Sequence, residues 1–113
     1  MTADIRFLIE SDAKATDWLD SHHDDGPRII TYDISRGRRG MRICSVEVRP
    51  RTQRDDHRAC VTARLEDGSL LFVDRRAAER LPRRFGLTVR GLGSRRHLEL
   101  ALDGPGWGRL LYD

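Results

Sequence analysis

The stretch RIITYDISRGRRGMRICSVEVR, residues 28–49, decides how this sequence is expected to fold. In its first half, apolar side chains recur at every second position, the period of a β-strand with one buried face: Ile30, Tyr32 and Ile34. Residues 35–40 contain two glycines and are typical of a turn, and residues 41–49 resume the alternation. The stretch therefore predicts a hairpin of two antiparallel strands that share one apolar face.

A third and a fourth strand are predicted after this hairpin. Residues 50–57 are polar throughout and predict an exposed loop. Residues 58–66 then alternate, with one set facing inward and another facing outward. The inward set is Ala59, Val61, Ala63 and Leu65, and the outward set is Cys60, Thr62 and Arg64. The pair Asp67-Gly68 is a turn signal that leads into the apolar run 69–73, which has the length of a strand.

The C-terminal part predicts one short helix and one more pair of strands. Asp74 is of the type that caps a helix, which we expect to run to Leu81 and to end before Pro82. Strands are expected at 87–92 and 97–102, joined around Gly93 and Ser94. Residues 103–108 are too rich in glycine to predict regular structure, and residues 109–112 are expected to form an edge strand or to dock on the core.

The residues before the hairpin predict a short strand at 4–10 and then a helix. Ser11 is a suitable N-cap, with Asp12 in the first turn. The residues that follow have helical spacing: Ala15, Trp18, Leu19 and His22. The predicted fold class is α+β, a single domain over residues 1–113. It consists of a small, mainly antiparallel or mixed β-sheet with an N-terminal helix and a short second helix.

Composition and charge limit the function classes. The chain has 113 residues, of which 35% are charged, and its net charge is +3. Residues 1–35 carry three basic and eight acidic side chains, a net charge of −5, whereas residues 36–113 carry eighteen and ten, a net charge of +8. This asymmetry favours an acidic partner, a nucleic acid or a second copy of the chain. With neither a membrane span nor a signal peptide in the pattern, we expect a cytoplasmic protein.

The turn of the hairpin resembles a motif of the A-type iron-sulfur carriers, which have the HesB-like fold. That family carries a Gly-Cys-Ser-Gly-Met type of turn after its first strand, and this chain has Gly37-Arg38-Arg39-Gly40-Met41 there. The strand and short helix from Leu71-Phe72-Val73-Asp74 onward also follow the family pattern, so the resemblance covers residues 5–102. It implies a HesB-like fold without the cluster. Arg38 replaces the first ligand cysteine, and residues 104–108 contain no Cys-Gly-Cys pair.

The candidates for a metal site are Cys44, His57 and Cys60, and the pair His22-His23 beside Asp24-Asp25, where capping or solvated histidines are the favoured interpretation. Thiolate and imidazole are ligands for transition metals, but an iron-sulfur cluster needs three or four converging ligands. The alternation places Cys44 on the apolar face of its strand and Cys60 on the outward face of another. A cluster would therefore require a dimer that pools the cysteines of two copies. We expect no cofactor, no metal and no catalytic residue, because no nucleophile elbow or metal-hydrolase motif is present.

Arginines at the predicted hairpin turn are the candidate contact residues: Arg36, Arg38, Arg39 and Arg42. They would contact a nucleic acid or an acidic partner, whereas the arginines of residues 75–84 are expected to form salt bridges with Asp74, Glu79 and other acids. The sequence thus favours a non-catalytic protein-interaction domain that binds a protein partner or itself, as a homodimer. A basic nucleic-acid-binding domain is the alternative, and a metal or iron-sulfur carrier that works as a dimer is a minor one.

Overall fold

One strongly curved sheet organises the chain in the computed structural model, which describes the backbone of residues 5–112 and the side chains of residues 7–112. The strands of this part are β1 Ile5–Ser11, β2 Arg28–Arg36, β3 Arg42–Pro50, β4 Cys60–Leu65, β5 Leu70–Asp74, β6 Arg84–Arg90 and β7 His97–Ala101. The α-helices are α1 Ala13–Ser21, α2 Arg75–Ala78 and α3 Gly104–Tyr112. Among these helices, none is long and apolar enough to cross a membrane.

The sheet combines three hairpins with parallel contacts between them. Its strand order is β3-β2-β5-β4-β1-β6-β7. The pairs β2/β3, β4/β5 and β6/β7 are antiparallel, whereas β1 is parallel to β4 and β6, and β2 is parallel to β5. The two outermost strands, β3 and β7, approach each other, so that the sheet almost closes into a barrel. The α+β prediction is confirmed at this level, but the sheet is more mixed and more barrel-like than the sequence indicated.

The first strand lies in the middle of the sheet. The sequence predicted a short strand over residues 4–10, and the structure shows β1 between β4 and β6, with Phe7 and Ile9 buried. Residue 4 lies outside the described residues. Asp12, and not Ser11, caps the helix that follows, because its Oδ1 accepts a hydrogen bond from the backbone N–H of Ala15 at 2.8 Å.

Alternating residues form the core in β4, β6 and β7, as their period of two predicts. β2 departs from this prediction, because its residues 29–32 are all buried and Ile34, expected on the buried face, is 43% exposed beyond the rest of the sheet. The predicted inward residues of the third strand are buried: Val61, Ala63 and Leu65. Three predicted boundaries are wrong. β4 begins at Cys60, so that Ala59 is exposed outside the strand, α2 ends at Ala78 rather than at Leu81, and β6 begins at Arg84.

The glycine-rich C-terminus forms a helix, which corrects the prediction of an irregular tail. Asp103 starts α3 by accepting a hydrogen bond from the backbone N–H of Gly106 at 2.7 Å. Leu110 is fully buried, and Trp107 and Leu111 pack against the core. Each glycine costs a helix about 1 kcal/mol relative to alanine, so packing of the apolar face must stabilise α3.

Candidate functional site

The β2/β3 hairpin extends beyond the rest of the sheet. β2 pairs with β5 only at Ile29 and Ile30, and from there to Arg36 its backbone pairs with β3 alone among the described strands. Arg36 pairs with Arg42 across the hairpin, and the backbone N–H of Gly37 donates to the carbonyl of Met41 at 2.7 Å. We call residues 34–43 the basic arm. Its side chains can contact a partner without any rearrangement of the core.

The structure brings the four predicted contact residues together at the end of the basic arm. Arg36, Arg38, Arg39 and Arg42 are all exposed. Arg36 donates to the carbonyl of Gly40 at 3.3 Å, whereas Arg38 and Arg39 form no hydrogen bond or ion pair with any residue that the structure describes. The guanidinium groups of Arg38 and Arg39 are therefore available to an external anion.

Two features of the arm cost stability. Arg36 and Arg42 lie directly opposite each other, and like charges at a cross-strand pair are destabilising. Arg39 has a φ of +63°, in the left-handed region that only glycine adopts without penalty. An anion bound at the arm would relieve the charge repulsion.

Apolar side chains lie between the arginines of the arm. Ile34 and Ile43 are each 43% exposed and Met41 is 65% exposed. The strand register places Ile34 on the same face of the hairpin as Arg36 and Arg42, whereas Ile43 pairs with Ser35 and lies on the other face. The arm could therefore combine ionic with apolar contacts.

The base of the arm is fixed on its inner face by a buried tyrosine. The hydroxyl of Tyr32 lies 3.5 Å from Sγ of Cys44 and accepts from Arg42 at 3.3 Å, and the thiol of Cys44 donates to the carbonyl of Leu111 in α3 at 3.4 Å. Burial, together with the hydrogen bond to Cys44, raises the pKa of Tyr32 above its usual value. The guanidinium carbon of Arg80 lies 5.5 Å from the centre of the Tyr32 ring. Arg80, just after α2, thus shares a surface with Arg42 of the arm.

The outer face of the base is fixed by a buried carboxylate that the sequence did not reveal. Asp55 is 1% exposed, although residues 50–57 were predicted to be an exposed loop; a 3-10 helix at Gln53–His57 holds it inward. Arg49 donates to both of its oxygens, at 2.9 and 2.7 Å. Hydrogen bonding by Arg49 holds the pKa of Asp55 well below its usual range. The available signal was Thr52-x-x-Asp55, which forms a capping box.

Arg58 connects this cluster to the arm. Its side chain donates to Asp55 at 3.1 Å, to Asp74 at 2.8 Å and to Asp33 of β2 at 3.1 Å. Hydrogen bonding to Asp33, followed by that to Asp74, raises the pKa of Arg58. Asp33 immediately precedes the arm. Arg58 therefore anchors the outer face of the arm's base, and Tyr32 anchors the inner face.

The salt bridges predicted for residues 75–84 are largely wrong. Arg84 approaches Glu10 at 3.8 Å, but Asp74 pairs with Arg58 instead of with the arginines of its own helix. Among the described residues, no carboxylate lies within ion-pair distance of Arg75, Arg80 or Arg83. These three arginines therefore carry charges that no described carboxylate neutralises, contrary to the prediction of a salt-bridged face.

The minority metal candidates lie on separate strands. Cys44 belongs to β3 and Cys60 to β4, and β2 and β5 separate these strands. Three strand spacings correspond to about 14 Å, which is too far for shared coordination within one chain. His57 is exposed at the end of its 3-10 helix. Among the described residues, no cluster of three or more histidine, cysteine, aspartate or glutamate side chains could hold a metal ion.

Comparisons of this protein with family models, with curated protein sequences and with solved structures found no match. The resemblance to the HesB-like carriers therefore stays a prediction. Arg38 and Arg39 occupy the turn that carries this resemblance. They are also the two arginines of the arm whose exposed side chains have no hydrogen-bond or ion-pair partner among the described residues. Function must be inferred from the geometry of the arm itself.

Proposed function

We propose that this protein is a non-catalytic interaction domain that binds an acidic protein partner through the basic arm. The observation that carries the proposal is the pair Arg38 and Arg39, which are exposed at the end of an anchored hairpin and have no partner among the described residues. A cytoplasmic location fits the two half-buried free thiols, Cys44 and Cys60.

The rigidity of the arm's base supports a binding role. Tyr32 and Cys44 fix one face and Arg58 fixes the other, so the base of the arm is held in place before a partner arrives. A preorganised surface loses less conformational entropy on binding than a flexible one. The exposed side chains of Ile34, on the face of Arg36 and Arg42, and of Met41 at the turn add apolar area to a contact that charge alone would leave weak.

A nucleic acid is the second candidate, and a specific feature favours it. The charged residues at the end of the arm are all arginine, which stacks on bases and forms forked hydrogen bonds with phosphate. A two-stranded β-ribbon also fits the major groove of DNA. Such binding would weaken with salt, and its log–log slope would become shallower by about 0.9 for each phosphate contact that is removed.

The test is a binding titration of the purified chain with a fluorescein-labelled oligoglutamate peptide, followed by fluorescence anisotropy. We expect Arg38→Glu/Arg39→Glu to weaken binding roughly tenfold or more, because like charges would then face each other. Arg95→Glu/Arg96→Glu is the matched control. It changes the same dipeptide at the β6/β7 turn, which lies at the opposite end of the sheet, and we expect a much smaller loss.

Equal losses in the two double variants would overturn the proposal, because they would show that net charge and not the arm governs binding. The same titration with single-stranded and double-stranded DNA separates the second candidate. Binding of DNA that exceeds binding of the peptide at about 200 mM salt would favour the nucleic acid.

A further inference from the structure

A leucine-lined groove lies at the end of the sheet opposite the basic arm. It has a volume of about 360 Å³, and its apolar lining comes from α1, β3, β4, β5 and β6: Leu19, Val48, Leu65, Leu70, Leu71 and Leu87. Leu70 is 47% exposed at its mouth, whereas Leu71 and Leu87 form its buried floor. We call it the leucine groove. An adjoining depression of about 310 Å³ shares Leu19 and Leu65 with it.

Acidic side chains surround this groove. Asp20 and Asp67 line both depressions, and Glu66 lines the second. All three are exposed, and none of them forms an ion pair with another described residue. Asp67 accepts from the backbone N–H of Ser69 at 2.8 Å, a hydrogen bond that leaves its charge uncompensated. The lining also includes His23, which lies 3.0 Å from Asp24, and Arg28, which pairs with Asp25 at 3.8 Å. Because both of these residues have acidic partners, the groove presents an apolar floor inside a rim whose uncompensated charges are negative.

The basic arm has the complementary surface. Met41 is its most exposed apolar side chain, and three exposed arginines lie within three positions of it in the turn: Arg38, Arg39 and Arg42. An apolar projection with a positive border is complementary in charge and in apolar character to an apolar groove with a negative rim. The partner of an interface does not have to be a different molecule, since both surfaces belong to this chain.

Within one copy, the two surfaces cannot meet. β2 and β5 are parallel, and both begin at the groove end, where Pro27, Arg28 and Leu70 line the groove. The nine residues of β2 then lead to the turn of the arm, and at about 3.3 Å per residue they place Arg38 and Arg39 roughly 30 Å from the groove end. Any contact between them must therefore join two copies.

We propose that the acidic partner of the basic arm is a second copy of this chain, which receives the arm in its leucine groove. This inference rests on the proposed function and names its partner. The contact is head to tail, because the two copies use different surfaces. A dimer of this kind keeps one free arm on one copy and one free groove on the other, so association continues beyond a dimer unless the rotation closes a ring.

The test compares the molar mass of variants by sedimentation velocity across a range of protein concentrations. The arm variant is Arg38→Glu/Arg39→Glu, and the groove variant is Asp20→Lys/Glu66→Lys. We expect the wild-type chain to associate more strongly at low salt than at high salt, and each variant alone to remain monomeric. An equimolar mixture of the two should form a dimer and stop there, because one intact arm and one intact groove remain.

A chain with all four substitutions is the decisive control for net charge. It keeps the wild-type net charge, but its arm retains Arg36 and Arg42 beside the two new glutamates and is no longer positive. We therefore expect this chain to stay monomeric, whereas recovery of association would show that net charge, and not the two surfaces, governs it. Self-association of the groove variant at wild-type strength would overturn the inference, since it would indicate contact between two arms. A wild-type chain that stays monomeric at all concentrations would also overturn it, while the peptide titration above would still test the proposed function by itself.

Discussion

Asp55 is the residue whose environment differs most from what its sequence context indicates. It is buried at 1% exposure and is held by Arg49 and Arg58, in a segment that contains no hydrophobic residue. A carboxylate is buried only where hydrogen bonds and opposite charges replace water. A prediction from hydrophobic patterning places polar segments at the surface. Only the capping-box spacing between Thr52 and Asp55 indicated local order here.

Replacement of Asp55 by alanine should destabilise the fold by on the order of 3 kcal/mol. This is the lower part of the range for breaking a buried ion pair, because Arg49 retains solvent contact with 31% of its side chain exposed. Asp56→Ala is the matched control. Asp56 is 65% exposed and pairs with Arg51 at the surface, so its loss should cost less than about 1 kcal/mol. Urea denaturation measures both, and equal effects would contradict the role given to Asp55.

Acid should weaken the fold through the same residue. The pKa of Asp55 is lower in the folded chain than in the unfolded one, where it is about 3.9. Its contribution is therefore complete above that value and is lost as the pH falls below about 4. The difference in free energy of unfolding between the wild-type chain and Asp55→Asn should be constant from about pH 5 to 7 and should shrink toward about pH 2. If the difference in free energy of unfolding stayed constant down to about pH 2, ionised Asp55 would not stabilise the fold as described.

At the scale of elements, α3 shows how burial overrides propensity. Its sequence contains three glycines and a proline, yet it forms a helix because Leu110 is fully buried and Asp103 caps its first turn. α3 also provides the carbonyl of Leu111, to which Cys44 at the base of the arm donates a hydrogen bond. The helix is therefore part of the arm's support.

Leu110→Ala should destabilise the fold by about 2–5 kcal/mol, the range for truncating a buried leucine. Tyr112→Ala is its control, because Tyr112 belongs to the same helix and is 81% exposed. We expect little change from it. Thermal unfolding followed by circular dichroism distinguishes the two, and a stable Leu110→Ala variant would show that α3 does not dock as described.

The hairpins could be predicted from the sequence because the period of two is a local signal. Ile30 and Tyr32 of β2 are buried as predicted, and the turn at Asp67-Gly68 joins β4 to β5. The central position of β1 could not be predicted, since it depends on parallel pairing with residues 62–65 and 84–87, far along the chain. The four arginines of the candidate site were predicted, whereas the fixed base of the arm depends on tertiary contacts.

At the scale of the whole molecule, the basic arm and the acidic side chains around the leucine groove lie at opposite ends of the sheet. The groove and the depression beside it are lined by Asp20, Glu66 and Asp67, and β2 leads from this end to the arm. Two surfaces of opposite charge that lie far apart favour contacts between copies over contacts within one. This separation does not follow the two halves of the sequence, because Glu66 and Asp67 belong to the basic half.

The most direct test of the arm's role is a titration of isotope-labelled protein with oligoglutamate, followed by the chemical shifts of the backbone amides. The account predicts that the changes concentrate in the basic arm, residues 34–43, and weaken as salt is added. The β6/β7 turn at residues 93–96 provides an internal reference, since it also carries two arginines. Changes that are as large at this turn as in the arm would contradict the claim that the arm is the binding surface.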